Sequence, residues 1–252
     1  MEFTLFGFSL LAILATVAGL MLGGLSKGAL GLGLPVIAIP FLSLSMSVPQ
    51  ALVMLTIPIF TTNLWQALQG GLILKVIRRF WPMTIAMAFG IVFGTRILVQ
   101  LNESILYFVI GCIVMIQPLL RVLRPDARIS EKTETWLGLI VAVLAGVVGG
   151  MSGLYGPILL VYLSALRLQK DFFTASAAMF FLVGGVILGL SLAQLGVMQA
   201  DDLLLSSLAC LPAFAGIYLG QLIRARINQK QFERAIALIM FSIGLSLFYK
   251  AF

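Results

Sequence analysis

The chain has no histidine, and only 10% of its 252 residues are charged. The first absence removes the usual general base of serine and cysteine hydrolases and the commonest transition-metal ligand. The second is far below the roughly 25% charge of a soluble domain. Its two cysteines, Cys112 and Cys210, lie far apart in apolar segments with no CxxC spacing, so they read as small buried hydrophobes rather than metal or redox groups. No GxxxxGK[ST] phosphate loop occurs, and the nine acidic residues all fall in loops or at segment ends, leaving no carboxylate pair in mid-segment for acid–base work. The expectation is a protein that is not an enzyme and needs no cofactor or metal.

What the chain has is apolar surface: 61% of its residues are hydrophobic. The hydrocarbon core of a bilayer is roughly 30 Å thick and takes about 20 apolar residues per helical crossing. The chain therefore reads as an all-α polytopic membrane protein with the lipid bilayer as its main partner. The net charge of +7 fits loops held on the cytoplasmic side, not nucleic acid. The first apolar run is too long for a signal peptide and is preceded by Glu2 rather than a base, so it reads as the first transmembrane helix.

Apolar runs set against helix breakers give ten segments, eight long and two short. They cover residues 3–24, 35–46, 48–70, 80–101 and 104–120, then 136–149, 157–166, 172–196, 203–223 and 232–248. The second segment of each five is the short one. GGLS at Gly23 to Ser26 recurs as GGMS at Gly149 to Ser152, and GIVFG at Gly90 to Gly94 recurs as GIYLG at Gly216 to Gly220, both at an offset of 126 (149 less 23, 216 less 90). This argues for duplication: an N-terminal repeat over 1–121, a cytoplasmic connection over 122–135 and a C-terminal repeat over 136–252. Lys75, Arg78 and Arg79 occupy one loop of the first half, whereas the matching loop of the second half holds Asp201 and Asp202. The next loop holds Asn102 and Glu103 in the first half and Arg224, Arg226 and Lys230 in the second. Positive loops stay in the cytoplasm, so the two five-segment repeats are expected to be inverted.

Two stretches interrupt this pattern: Ser26, Lys27, Gly28 and onward to Gly31, Gly33, Leu34 and Pro35, and the shorter run Ser152, Gly153, Leu154, Tyr155, Gly156 and Pro157. Glycine permits non-helical backbone and close approach of a ligand, and proline suits the first turn of a helix. Each stretch reads as a loop feeding a short helix, whose N-terminus offers unpaired N–H groups and partial positive charge to an anion. Inverted repeats with interrupted helices describe many secondary transporters, whose sites lie near mid-membrane, so the two stretches are expected to meet there. Lys27 attracts an anion or anchors a cytoplasmic helix end. Arg96 touches substrate or snorkels to the outer interface. Asn63, Gln66 and Gln69 share a helical face, with Gln194 near the equivalent place, and line a polar path or bond across helices. The GxxxG pairs serve helix packing.

At these residues the sequence resembles the sulfite exporter TauE/SafE family of bacterial and archaeal permeases. The resemblance rests on the glycine-rich stretch from Gly23 to Pro35, its echo from Gly149 to Pro157 and the two-fold repeat. It implies a multi-pass protein of the bacterial inner membrane that moves a small anion such as sulfite, thiosulfate or an organosulfonate, without hydrolysing ATP itself. It also implies seven or eight helices, fewer than ten. The other readings are a cation channel or transporter that binds its ion through backbone carbonyls, and a membrane-embedded assembly factor.

Overall fold

The computed structural model describes residues 4–5, 8–31, 33–122, 129–224 and 229–252. Part of the connection expected over 122–135, with Arg124 and Arg128, lies outside the described residues, as does Arg226. A two-residue ladder, β1 (Thr4–Leu5) with β2 (Phe8–Ser9), precedes the helices. The remaining elements are helical: α1 (Leu10–Leu30), α2 (Leu34–Leu42), α3 (Val48–Leu68), a 3-10 turn (Gln69–Gly71), α4 (Ile73–Leu98) and α5 (Glu103–Val122). Then come α6 (Glu131–Ser152), α7 (Gly156–Ala165), α8 (Lys170–Gln194), α9 (Ala200–Leu208), α10 (Cys210–Ile223) and α11 (Gln229–Ala251). Because α9 and α10 form one span, Ala200–Ile223, the order is long, short, long, long, long, twice over. Among the described residues, seven helices are long and apolar enough to cross a membrane.

The chain divides into two compact units, neither of which is a sequence half. One comprises Met1–Pro58, Asn102–Ile116 and Ala200–Phe252, the other Ile59–Leu101 and Gln117–Gln199. In the first unit α1 and α10 run in parallel at backbone contact. Any Cβ on Gly24 or Gly28 would strike the carbonyl of Ala213 or Ile217, and any Cβ on Gly216 or Gly220 that of Met21 or Leu25. The opposite face of α1 carries Gly19 and Gly23, on which α2 folds back antiparallel, with Phe41 against Gly19 and Leu34 and Ala38 against Gly23. At the far end of α2, the Lys250 ammonium of α11 donates to the Ser43 and Leu44 carbonyls (3.1 and 3.5 Å) and stands 4.3 Å from the Tyr107 ring centroid of α5.

The second unit repeats this construction with α6 and α4. Gly90 and Gly94 abut the carbonyls of Val143 and Val147, and Gly146 and Gly150 abut those of Met87 and Ile91. Helices in lipid gain no hydrophobic drive from meeting each other and rely on such close van der Waals approach, so both GxxxG pairs act in packing. Arg79 of α4 donates twice to the Glu134 carboxylate of α6, at 2.9 Å each, and lies over the rings of Phe80 and Phe172. The starts of α4, α6 and α8 therefore gather at one end of this unit.

Candidate functional site

The first interruption is shorter than expected. Ser26 to Leu30 are helical, and among the described residues before α2 it is Gly31 (φ 81) and Gly33 (φ 111) that take positive φ. Non-helical backbone in a membrane loses hydrogen bonds that no water replaces, so the helix persists through Gly28, which is needed as a helical contact for α10. The Gly31 N–H closes α1 onto the Lys27 carbonyl at 2.7 Å. Gly33 then caps α2 with no side-chain cap, Pro35 lies in the first turn, and the Ile37 N–H is the first to find the ladder, on the Gly33 carbonyl at 3.2 Å. The helix itself thus supplies no partner for the N–H groups of Leu34 and Val36. Ser26 lies beside this turn, its hydroxyl 3.1 Å from where a Cβ on Gly33 would stand, and Lys27 is only 6% exposed. Ser26 and Lys27, both buried, thus lie at the end of α1, directly before the Gly33-capped start of α2.

The second interruption has the same backbone plan and different chemistry. Gly153 (φ 71) ends α6 with its N–H on the Gly149 carbonyl at 2.6 Å. The Ser152 hydroxyl donates to the Val148 carbonyl (2.7 Å) and accepts from the Leu154 N–H (3.2 Å), so it closes the break internally. Tyr155 caps α7, with Gly156 and Pro157 in the first turn. Its ring is fully buried against Gly149 and Gly184, packs on Phe181 at 5.5 Å between centroids, and its hydroxyl donates to the Phe181 carbonyl at 3.1 Å. The position that matches Lys27 at the offset of 126 is Gly153 (27 plus 126), which carries no charge.

Gly28 lies against Ile217 and Gln221 near the end of α10, and Gly150 against Ile91 and Thr95 near the end of α4. Of the residues expected along a polar path, Asn63 is buried and donates to the Ile59 carbonyl (2.8 Å), and Gln66 is half-buried. Gln69, Arg96 and Gln194 are exposed, in the 3-10 turn and the last turns of α4 and α8. The sequence reading missed Tyr162, Glu134 and Gly138, which meet where α7 crosses the start of α6.

No curated protein and no solved structure matches the chain. The family model described as Sulfite exporter TauE/SafE matches residues 15–247, a range that takes in both interruptions and both GxxxG pairs. The fold of paired long helices interrupted by two short ones, with this match over nearly the whole chain, shows that the protein belongs to the sulfite exporter TauE/SafE family of membrane transporters.

Proposed function

We propose that the protein is a secondary transporter of small sulfur oxyanions, sulfite, thiosulfate or organosulfonates, across the bacterial inner membrane. Membership of the family supports the transporter class and the sulfur-anion class. The observation that carries the site assignment is that the buried Ser26 and Lys27 directly precede the Gly33-capped start of α2, with the Ser26 hydroxyl against Gly33. An ammonium and two backbone N–H groups are hard donors and positive poles, and a small oxyanion presents matching acceptor oxygens. Gly31, Gly33, Leu34 and Pro35 shape that turn, with glycine leaving room for the ligand. Ser152, Gly153, Tyr155, Gly156 and Pro157 form the uncharged counterpart, which favours passage over tight holding.

A ligand that binds only the folded state stabilises it by about 2.7 kcal/mol at a hundred times Kd. Purified protein should therefore melt several degrees higher in excess sulfite or thiosulfate than in chloride of equal ionic strength. Lys27→Met should remove most of that difference. Since Lys27 is buried, the loss should be nearly the same at low and high salt, because screening acts mainly on exposed charges. Stabilisation that follows sodium or potassium and ignores the anion would overturn the proposal in favour of a carbonyl-lined cation site.

A further inference from the structure

Helix α7 carries tyrosines two turns apart, at its cap and near its end, and each is bolted to a different neighbour. Tyr155 reaches α8 through the Phe181 carbonyl. Tyr162, buried with only 3% exposure, donates its hydroxyl to the Glu134 carbonyl of α6 at 2.7 Å. That reach depends on Gly138: a Cβ there would stand 2.6 Å from the Tyr162 hydroxyl oxygen and 2.7 Å from the Met83 sulfur. Glu134 is itself held, because its carboxylate takes both Arg79 donors while Arg79 is stacked over Phe172. The carbonyl that receives Tyr162 is thus fixed by α4 and α8 as well as by its own helix.

We propose that Tyr162, seated over Gly138 on the Glu134 carbonyl, is a positioning residue for transport. It sets the height and rotation at which α7 presents its first turn, Gly156 to Ile158, to the permeating anion. The geometry favours this over a purely structural bond. Helix α7 is short and apolar, and among the described residues its glycine contacts run through the Tyr155 and Tyr162 side chains, on Gly149, Gly184 and Gly138, rather than through backbone as between α4 and α6. Apolar contacts are non-directional, whereas hydroxyl donors at two levels specify both height and rotation. The inference rests on the transporter reading for its kinetic consequence, though not for its conformational one.

The test uses the full-length protein in liposomes, with sulfite uptake measured on Tyr162→Phe, Gly138→Ala and the double variant, beside the melting temperature of each. Tyr162→Phe removes one hydroxyl and no packing volume. Losing a single hydrogen bond shifts an equilibrium by roughly three- to tenfold, so KM for the anion should rise by about that factor while Vmax stays within about twofold. Gly138→Ala severs the same contact and should raise KM comparably, with no further rise in the double variant. Hydrogen exchange at the Leu159 N–H, which closes the first turn of α7 on the Tyr155 carbonyl, should quicken in Tyr162→Phe. This exchange readout holds even if sulfite is not carried, so failure of the transporter reading is separable from failure of this one. Unchanged exchange and KM in Tyr162→Phe, or KM effects of the two single variants that multiply, would overturn the proposal.

Discussion

At the scale of the residue, Gly33 is the position where chemistry and conformation meet. Its φ of 111 is open to glycine and strained for any L side chain, and a Cβ there would also press on the Ser26 hydroxyl. Gly33→Ala should therefore lower stability by about 1–2 kcal/mol, the cost of holding an L residue in left-handed backbone. Anion-dependent stabilisation should fall with it, since the methyl enters the space beside Ser26. Gly33→Asn should recover part of the stability, because asparagine tolerates left-handed backbone better, but none of the anion effect. Thermal melts with and without thiosulfate check both halves of the expectation. If Gly33→Ala lost stability yet kept the full anion shift, the glycine would be a turn residue and nothing more.

At the scale of the element, the sequence resolved which segments exist better than where they end. The ten segments and the shortness of α2 and α7 were legible because proline and glycine punctuate apolar runs. The end of α1 was not, because Gly23, Gly24 and Gly28 look like breakers in a list of residues and act as helical contact surfaces once α2 and α10 are placed on them. Tyr155 likewise falls in the stretch expected to meet the anion, and only the position of Phe181 on α8 shows that its hydroxyl is spent on a backbone carbonyl. Ser206 gave no signal at all. Pro58 within α3 lacks the N–H that would reach the Met54 carbonyl, and the Ser206 hydroxyl donates to that carbonyl (3.0 Å) and accepts from the Ile57 N–H (3.0 Å). Such side-chain repair is how proline is tolerated inside a membrane helix. The glycine interlock makes the sharper prediction. Gly94→Val would drive its side chain into the Val147 carbonyl, a backbone atom that cannot turn aside, so α4 and α6 must part. Overpacking typically costs about 1–3 kcal/mol, and a backbone clash belongs at the upper end. The melting temperature should fall well below that of Gly70→Ala, where a Cβ meets nothing within 4 Å and only the backbone at φ 77 resists.

At the scale of the whole molecule, inversion of the repeats turns on how many times each half crosses. The second unit bears on this through its own hairpin. Helix α7 runs back along α6 until Tyr162 meets Glu134 near the start of α6, and α8 then begins with Phe172 beside Arg79. The chain thus leaves α7 at the end where it entered α6. With α6 and α7 cancelling, α8, the α9–α10 span and α11 leave an odd net count, the parity that inversion needs. The ends gathered there carry Lys75, Arg78, Arg79, Arg167 and Lys170, which the positive-inside rule assigns to the cytoplasm. We therefore propose that the five-segment repeats are inverted. In a cysteine-free background, single thiols introduced at Asn102 and Asp201 should react with an impermeant maleimide added outside intact cells. Thiols at Arg78 and Arg224 should react only after the membrane is opened. Asn102 stands before Glu103 at the start of α5 and Asp201 lies in the acidic first turn of α9, whereas Arg78 lies between Lys75 and Arg79 near the start of α4 and Arg224 caps α10, so the four sites test the charge argument in each half separately. Labelling of Asp201 and Arg224 from the same side would mean that the α9–α10 span does not cross, and the inverted arrangement would fall with it.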